Sequence, residues 1–227
     1  MTFRKLLNRS LIALAIGAGL VTLSYFFVDR PVAYFVHDHQ INHHEFLKWL
    51  TYIPIVLETA APGVIVLLTV RLALGPASRL EWTFFAMALN LIVTLSILPM
   101  LKPLFGRYWP DTWIENNPSL IRNNAYGFHP FHWGDWYTSC PSGHTTRIVA
   151  VMGVWWVAYP RWRALSVLVA GAVIVGLLGM NYHFVGDCIA GAFTGGITAA
   201  YAAHFFLLDE PAGAKEEAHP NGSDGPV

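Results

Sequence analysis

Charge is scarce in this sequence. Only 12% of its residues are Asp, Glu, Lys or Arg, about half the share of an ordinary soluble domain. The 14 basic and 14 acidic residues cancel, so there is no bulk field to recruit a nucleic acid. Cysteine is nearly absent too. Cys140 and Cys188 cannot build a disulfide framework, and sequence does not give the short separation a single bridge requires, so two free thiols are expected. What remains is apolar: 55% of 227 residues are hydrophobic. A chain this short cannot hide so much apolar surface in one soluble core, and lipid is its natural solvent. Length and continuity indicate one domain.

A spanning helix needs about 20 mostly apolar residues. Six segments approach this: Ser10–Val28, Ile55–Leu74, Trp82–Leu101, His144–Tyr159, Ala164–Met180 and Val185–Leu208. The fourth is short and begins with a polar turn, which sets its start at the membrane interface. The first follows the basic Met1–Arg9 segment as a signal peptide would, but it is long for one and lacks a small-x-small cleavage site, so a retained helix is expected. Basic residues of short loops mark the cytoplasmic side. Arg4, Lys5 and Arg9, then Arg71 and Arg79, then Arg161 and Arg163 all fall on that side with six spans. The expected fold is all-α, a six-helix transmembrane bundle over residues 1–208, with residues 209–227 a disordered cytoplasmic tail rich in Pro, Gly and Glu. The segments Asp29–Pro54, Lys102–Ser142 and Asn181–Phe184 fall outside and hold most of the unusual polar groups. The aromatic residues of the second, from Tyr108 to Tyr137, suit an interfacial belt or a lid over a lipid-entry groove.

Three short polar stretches carry candidate chemistry. Cys140-Pro141-Ser142-Gly143-His144-Thr145 stands at the mouth of the fourth helix. Pro141 and Ser142 suit a helix start, Gly143 opens the backbone to close approach, and first-turn amides favour an anion. Alone, this is no more than a helix cap. His183 and Asp187 are four residues apart, on one helical face. The carboxylate can hold the imidazole in one tautomer and stabilise its positive charge, leaving the opposite ring nitrogen free to attack. Alone, this is an ordinary structural hydrogen bond. Lys102 and Arg107 follow the third helix and could bind phosphoryl oxygens. Alone, they are a snorkelling lysine and a loop arginine.

Together the three segments resemble the type 2 phosphatidic acid phosphatase superfamily, whose pattern is a lysine followed by Arg-Pro, then Pro-Ser-Gly-His, then a His and an Asp four residues apart. The resemblance spans Lys102 to Asp187, and the six-helix layout extends it. It implies a membrane lipid phosphate or pyrophosphate phosphatase in the bacterial inner membrane, with the active site facing the periplasm or exterior. His183 would attack phosphorus to give a phosphohistidine, and Asp187 would orient it. His144 would protonate the leaving oxygen and later activate water. Lys102 and the amides near Ser142 and Gly143 would hold phosphate, with no metal and no cofactor. Phosphatidic acid, phosphatidylglycerol phosphate, undecaprenyl pyrophosphate and a lipid A phosphate all fit this chemistry.

Two positions depart from the pattern. Trp109 stands where the family has an arginine seven residues after the lysine, and Leu177 where it has one six before the nucleophile. Each lost charged hydrogen bond is worth roughly 1.5–3 kcal/mol. Arg107, Arg122 and Arg147 are the outer-side substitutes, and Arg147 shares a helical face with His144 and Gly143. The loss of two cations keeps two other readings open: a phosphotransferase drawing on a polyprenyl pyrophosphate donor, and a non-catalytic membrane binder or transporter of the same fold. The stretch His37, Asp38, His39, His43, His44 and Glu45 matches no strong zinc spacing and is expected to be amphipathic. Gly191 and Gly195 are spaced for close helix packing, which could serve a homodimer but is expected to serve the chain itself.

Overall fold

The computed structural model of the protein describes residues 2–113 and 116–208; the expected tail, residues 209–227, lies outside them. The chain runs through α1 (Phe3–Phe27), α2 (Asp29–Asp38), α3 (Glu45–Thr51), α4 (Ile53–Ala73), α5 (Arg79–Phe105), the single turn α6 (Leu120–Asn123), α7 (Gly143–Ala158), α8 (Arg163–Gly179) and α9 (Val185–Ala203). Among the described residues there is no β-strand, only isolated bridges at Arg107 and Trp109, so the all-α expectation holds.

Local chemistry sets several helix ends. Ser78 caps α5: its Oγ accepts from the Glu81 amide while Glu81 accepts from the Ser78 amide, a reciprocal capping box. Gly106 closes α5 at φ 57°, and its amide donates to the Lys102 carbonyl. A side chain there would meet the His129 backbone as well as a left-handed φ, so glycine is required twice over.

The six-span expectation needs refinement. Among the described residues four stretches are long and apolar enough to cross a membrane: Phe3–Phe27, Glu45–Ala73, Arg79–Phe105 and Pro160–Gly179. The protein is accordingly a multi-pass membrane protein. Two spans begin earlier than expected, because α1 incorporates Arg4, Lys5 and Arg9 and because α3 leads almost directly into α4. Much of the expected outer segment Asp29–Pro54 is therefore helical. The remaining two candidate spans, α7 with 16 residues and α9 with 19, are not in that set. They pack chiefly on each other and on α1, α5 and α8, so protein surrounds much of them.

Small residues make this close packing feasible. A side-chain carbon on Gly191 would lie 2.7 Å from the Ser142 carbonyl oxygen, and one on Gly195 would collide with the Thr146 carbonyl. The two glycines therefore serve packing inside the chain. Ala86, Leu91, Val151, Val154 and Ala199 form one core cluster, and Ile148, Val173, Leu177 and Cys188 another. On the outside, Leu11, Ile12, Val66, Leu67, Val167 and Leu168 are exposed, as lipid-facing side chains should be. The segment between α5 and α7 is tied down at the same end as the start of α9: Phe131 N–H donates to Pro103, His129 N–H to Gly106, and the Trp113 indole to Asn181.

Candidate active site

The start of α9 brings together the first two chemical groups. Phe184 is extended at φ −73°, ψ 159°, and its amide donates to Oδ2 of Asp187 at 3.0 Å. Asp187 thus satisfies an orphan amide of its own helix. Nδ1 of His183 lies 3.6 Å from the same oxygen, an ion-pair separation longer than a hydrogen bond. Ser139 stands beside the gap: its Oγ donates to Oδ2 of Asp187 at 2.6 Å and lies 3.5 Å from Nδ1 of His183. Both His183 and Asp187 are buried. Burial is the largest influence on the imidazole and pulls its pKa below the ordinary value, against the opposing pull of Asp187.

α7 supplies the second element. Ser142 caps it, its Oγ accepting from the Thr145 amide. The Ser142 amide donates to the Asp187 carbonyl at 3.0 Å and the Ser142 carbonyl accepts from Thr146. Ser142, expected to help bind phosphate, therefore joins α7 to α9 with its own polar groups. The first-turn amides of Gly143 and His144 remain as donors without an intrahelical acceptor. His144 lies within electrostatic range of His183, Lys102 and Arg147, and Lys102 is in turn within range of Arg147 and Asp187. The Nη2 of Arg147 is 3.7 Å from where a Gly143 side-chain carbon would sit. His144, His183, Lys102, Gly143 and Arg147 thus surround one region at the mouth of α7.

Arg107 requires a correction. Expected among the phosphate ligands, it is fully buried at 0% exposure. Its Nη1 donates to Oδ1 of Asp187 at 2.7 Å, and its Nη2 to Oδ2 of Asp29. Both ends of the guanidinium are therefore engaged by buried carboxylates. Arg122 is exposed, with Asp111 4.0 Å away. The two positions without the family arginines are filled differently. The Trp109 ring lies 5.2 Å from that of His183 and donates its indole N–H to the Asp135 carbonyl. Leu177 is buried in the core beside Ile148 and Cys188.

Ser139 and Asp29 escaped sequence reasoning. A lone serine in an aromatic loop carries no signal. Asp29 stands at the end of the first apolar run, where an interfacial carboxylate is unremarkable. Cys140 and Cys188 are free and buried, and burial raises the Cys140 thiol pKa well above its ordinary value. Among the described residues no group of three or more His, Cys, Asp or Glu is arranged to hold a metal ion.

Comparison with known proteins adds independent findings. The family model described as the PAP2 superfamily matches residues 80–209. The Lipid A 1-phosphatase of Rhizobium johnstonii is 24% identical over 204 residues, which cover 86% of this chain and 77% of that protein. Among solved structures, the chain is similar to a transmembrane PAP2-type phosphatidylglycerolphosphate phosphatase from Bacillus subtilis. That match has 18% identity and a TM-score of 0.47, covering 84% of this chain and 98% of the other.

Proposed function

The chain belongs to the PAP2 superfamily, and from that premise we propose that it is a membrane lipid phosphatase acting through a phosphohistidine. The observation that carries this reading is the His183–Asp187 pair, with Ser139 beside it, at the N-terminal mouth of α7. Nδ1 of His183 faces Asp187, so Nε2 is the atom left to react. Nε2 attacks phosphorus, and the bond from phosphorus to the lipid oxygen breaks. His144 gives that oxygen a proton. His144 then takes a proton from water, whose oxygen attacks the phosphohistidine and restores Nε2 while inorganic phosphate leaves. Lys102, Arg147 and the amides of Gly143 and His144 offset the charge on the phosphoryl oxygens. The burial-driven fall in His183 basicity favours this chemistry, since an unprotonated imidazole is the nucleophile.

α7 and α9 complete six passes in this reading, and the reacting groups open to the periplasm or exterior of a bacterial inner membrane. The resemblance to a Lipid A 1-phosphatase supports a lipid-linked phosphate as substrate, and the mechanism accommodates a lipid pyrophosphate equally. A second reading has its own observation: Trp109 lies over His183 where the family has an arginine, which suits a non-catalytic binder of the same fold. One experiment separates them. Purified protein in detergent is offered a panel of lipid phosphates and pyrophosphates, with and without a lipid acceptor, and His183→Ala is the control. Phosphate release that vanishes in His183→Ala supports the hydrolase. Transfer to the acceptor would make it a phosphotransferase. No turnover of any lipid by wild type supports the binder.

A further inference from the structure

Asp187 is held by more than its histidine, and the holding groups come from far along the chain. Its Oδ1 accepts from Nη1 of Arg107 at 2.7 Å, and its Oδ2 accepts from Ser139 Oγ at 2.6 Å and Phe184 N–H at 3.0 Å. Three donors in different directions fix the plane of the carboxylate. Oδ2 is thereby aimed at Nδ1 of His183.

Arg107 is anchored in its turn. Its Nη2 donates to Oδ2 of Asp29, and Oδ1 of Asp29 accepts from Ser24 Oγ at 2.6 Å and from Gly186 N–H at 2.8 Å. Rings close the remaining sides of the guanidinium: Phe184 at 4.3 Å, Phe128 at 4.6 Å, Tyr126 at 5.5 Å and Tyr25 at 5.6 Å. Aromatic faces favour a cation there. Asp29 and Ser24 lie at the junction of α1 and α2, upstream of the family-matched residues 80–209.

A buried ionic network is a weak way to stabilise a fold, because desolvation consumes much of the attraction. What it provides is direction. We propose that Arg107 and Asp29 are positioning residues for the dyad: Asp29 aims Arg107, Arg107 sets the rotation of Asp187, and Asp187 presents His183 for in-line attack. The N-terminal helices are on this account part of the catalytic apparatus. The inference rests on the reading of His183 as nucleophile, and it gives the chain a device for orienting the nucleophile that does not depend on the arginines missing at Trp109 and Leu177.

Orientation acts on the reacting geometry and leaves phosphate binding to Lys102, Arg147 and the α7 amides. The variants are Asp29→Asn, Arg107→Lys and, as a mild change that preserves every charge, Ser24→Ala. They are assayed in detergent at a temperature well below their measured unfolding. Expected is a fall in kcat of about tenfold or more for the first two, on the scale of one charged hydrogen bond, and a smaller fall for Ser24→Ala. The rate of phosphohistidine formation in a single turnover falls in parallel. KM and inhibition by inorganic phosphate stay within about twofold of wild type, since the phosphate-binding groups are untouched. A brace that serves only the fold would lower the unfolding temperature and leave kcat unchanged, and wild-type kcat in every folded variant overturns the proposal. His183→Ala, run alongside, separates the two claims. If His183→Ala still releases phosphate, the nucleophile reading fails and this inference falls with it. If it is inactive while the positioning variants match wild type, only the positioning role is lost.

Discussion

Nη1 of Arg147 lies 2.9 Å from Oε2 of Glu58, joining α7 to α4 beside the first turn of α7. A carboxylate and a guanidinium in apolar helices are costly and mark a functional candidate. Glu58 engages one end of the fork, and Nη2 lies near Gly143. A phosphate at the α7 amides would meet that free end. Arg147→Ala is therefore expected to lose at least about tenfold in kcat/KM, the worth of one charged hydrogen bond. Arg147→Lys should recover only part of the loss, because an ammonium cannot serve Glu58 and phosphate through one planar fork. Steady-state kinetics on the lipid that wild type turns over best provides the check, and unchanged kinetics in folded Arg147→Ala removes Arg147 from the site.

The pH behaviour of His183 gives a second prediction. Burial lowers its pKa below the ordinary imidazole value, which is about 6.5. The sign follows directly: at pH 6.5 a free imidazole is half protonated, whereas His183 remains mostly neutral with a lone pair available. As pH falls through the lowered pKa, Nε2 takes a proton and the nucleophile is lost. Imidazole nitrogen resonances, with His183 assigned by comparison with His183→Gln, should report a neutral ring at pH 6.5. Phosphohistidine formation should persist at that pH and disappear only in more acidic solution. A ring already mainly protonated at pH 6.5 would contradict the burial argument.

The sequence was most informative where the relevant geometry is local. His183 and Asp187 share a face because one helical turn separates them, and Ser142 caps α7 because a serine before a helix does so by its own reach. The partners of Arg107 are not legible in the sequence, because a loop residue near Lys102 can turn either way and only the fold pairs it with Asp187. Asp29 and Ser24 were invisible for a related reason: their partners are Arg107 and Gly186, far off in sequence. Apolar runs located every long helix but could not say which are sheathed by protein. α7 and α9 pack closely on each other, a fact about neighbours that hydropathy along one segment does not contain.

Packing between α7 and α9 supports a prediction of opposite signs at two glycines. A methyl group on Gly191 would lie 2.7 Å from the Ser142 carbonyl oxygen and 3.1 Å from Thr145 Cβ, whereas one on Gly171 of α8 would meet nothing within 4 Å. Gly191→Ala must separate the two helices that carry the reacting groups, an overpacking that costs about 1–3 kcal/mol. Gly171→Ala removes backbone freedom from the unfolded chain and should stabilise by about 0.5–1 kcal/mol. Thermal unfolding in detergent should place the variants on opposite sides of wild type. Gly191→Ala at or above wild type would show that the α7–α9 contact is loose.

The last prediction concerns which side of the membrane the site faces. The basic turn between α4 and α5 holds Arg71 and Arg79, and the turn between α7 and α8 holds Arg161 and Arg163. Nη2 of Arg79 donates to the Ala158 carbonyl at 3.1 Å, so these two turns meet at one end of the helices. Ser139, His183 and Trp109 gather at the opposite end, where α5 finishes and α7 and α9 begin. Basic residues in short loops are retained in the cytoplasm, so the reacting groups are expected to face outside. Trp133 belongs to the segment between α5 and α7 and is 78% exposed, so a thiol there can be reached from solution. Cys140 and Cys188 are buried and should contribute little background, and replacing both with Ala removes it. Trp133→Cys in that background is expected to react with a membrane-impermeant maleimide in intact spheroplasts at nearly the rate seen after lysis. A cysteine at Arg161 should react only after lysis. The reverse pattern would turn the protein over and place its chemistry in the cytoplasm, where the substrates would be lipids of the inner leaflet.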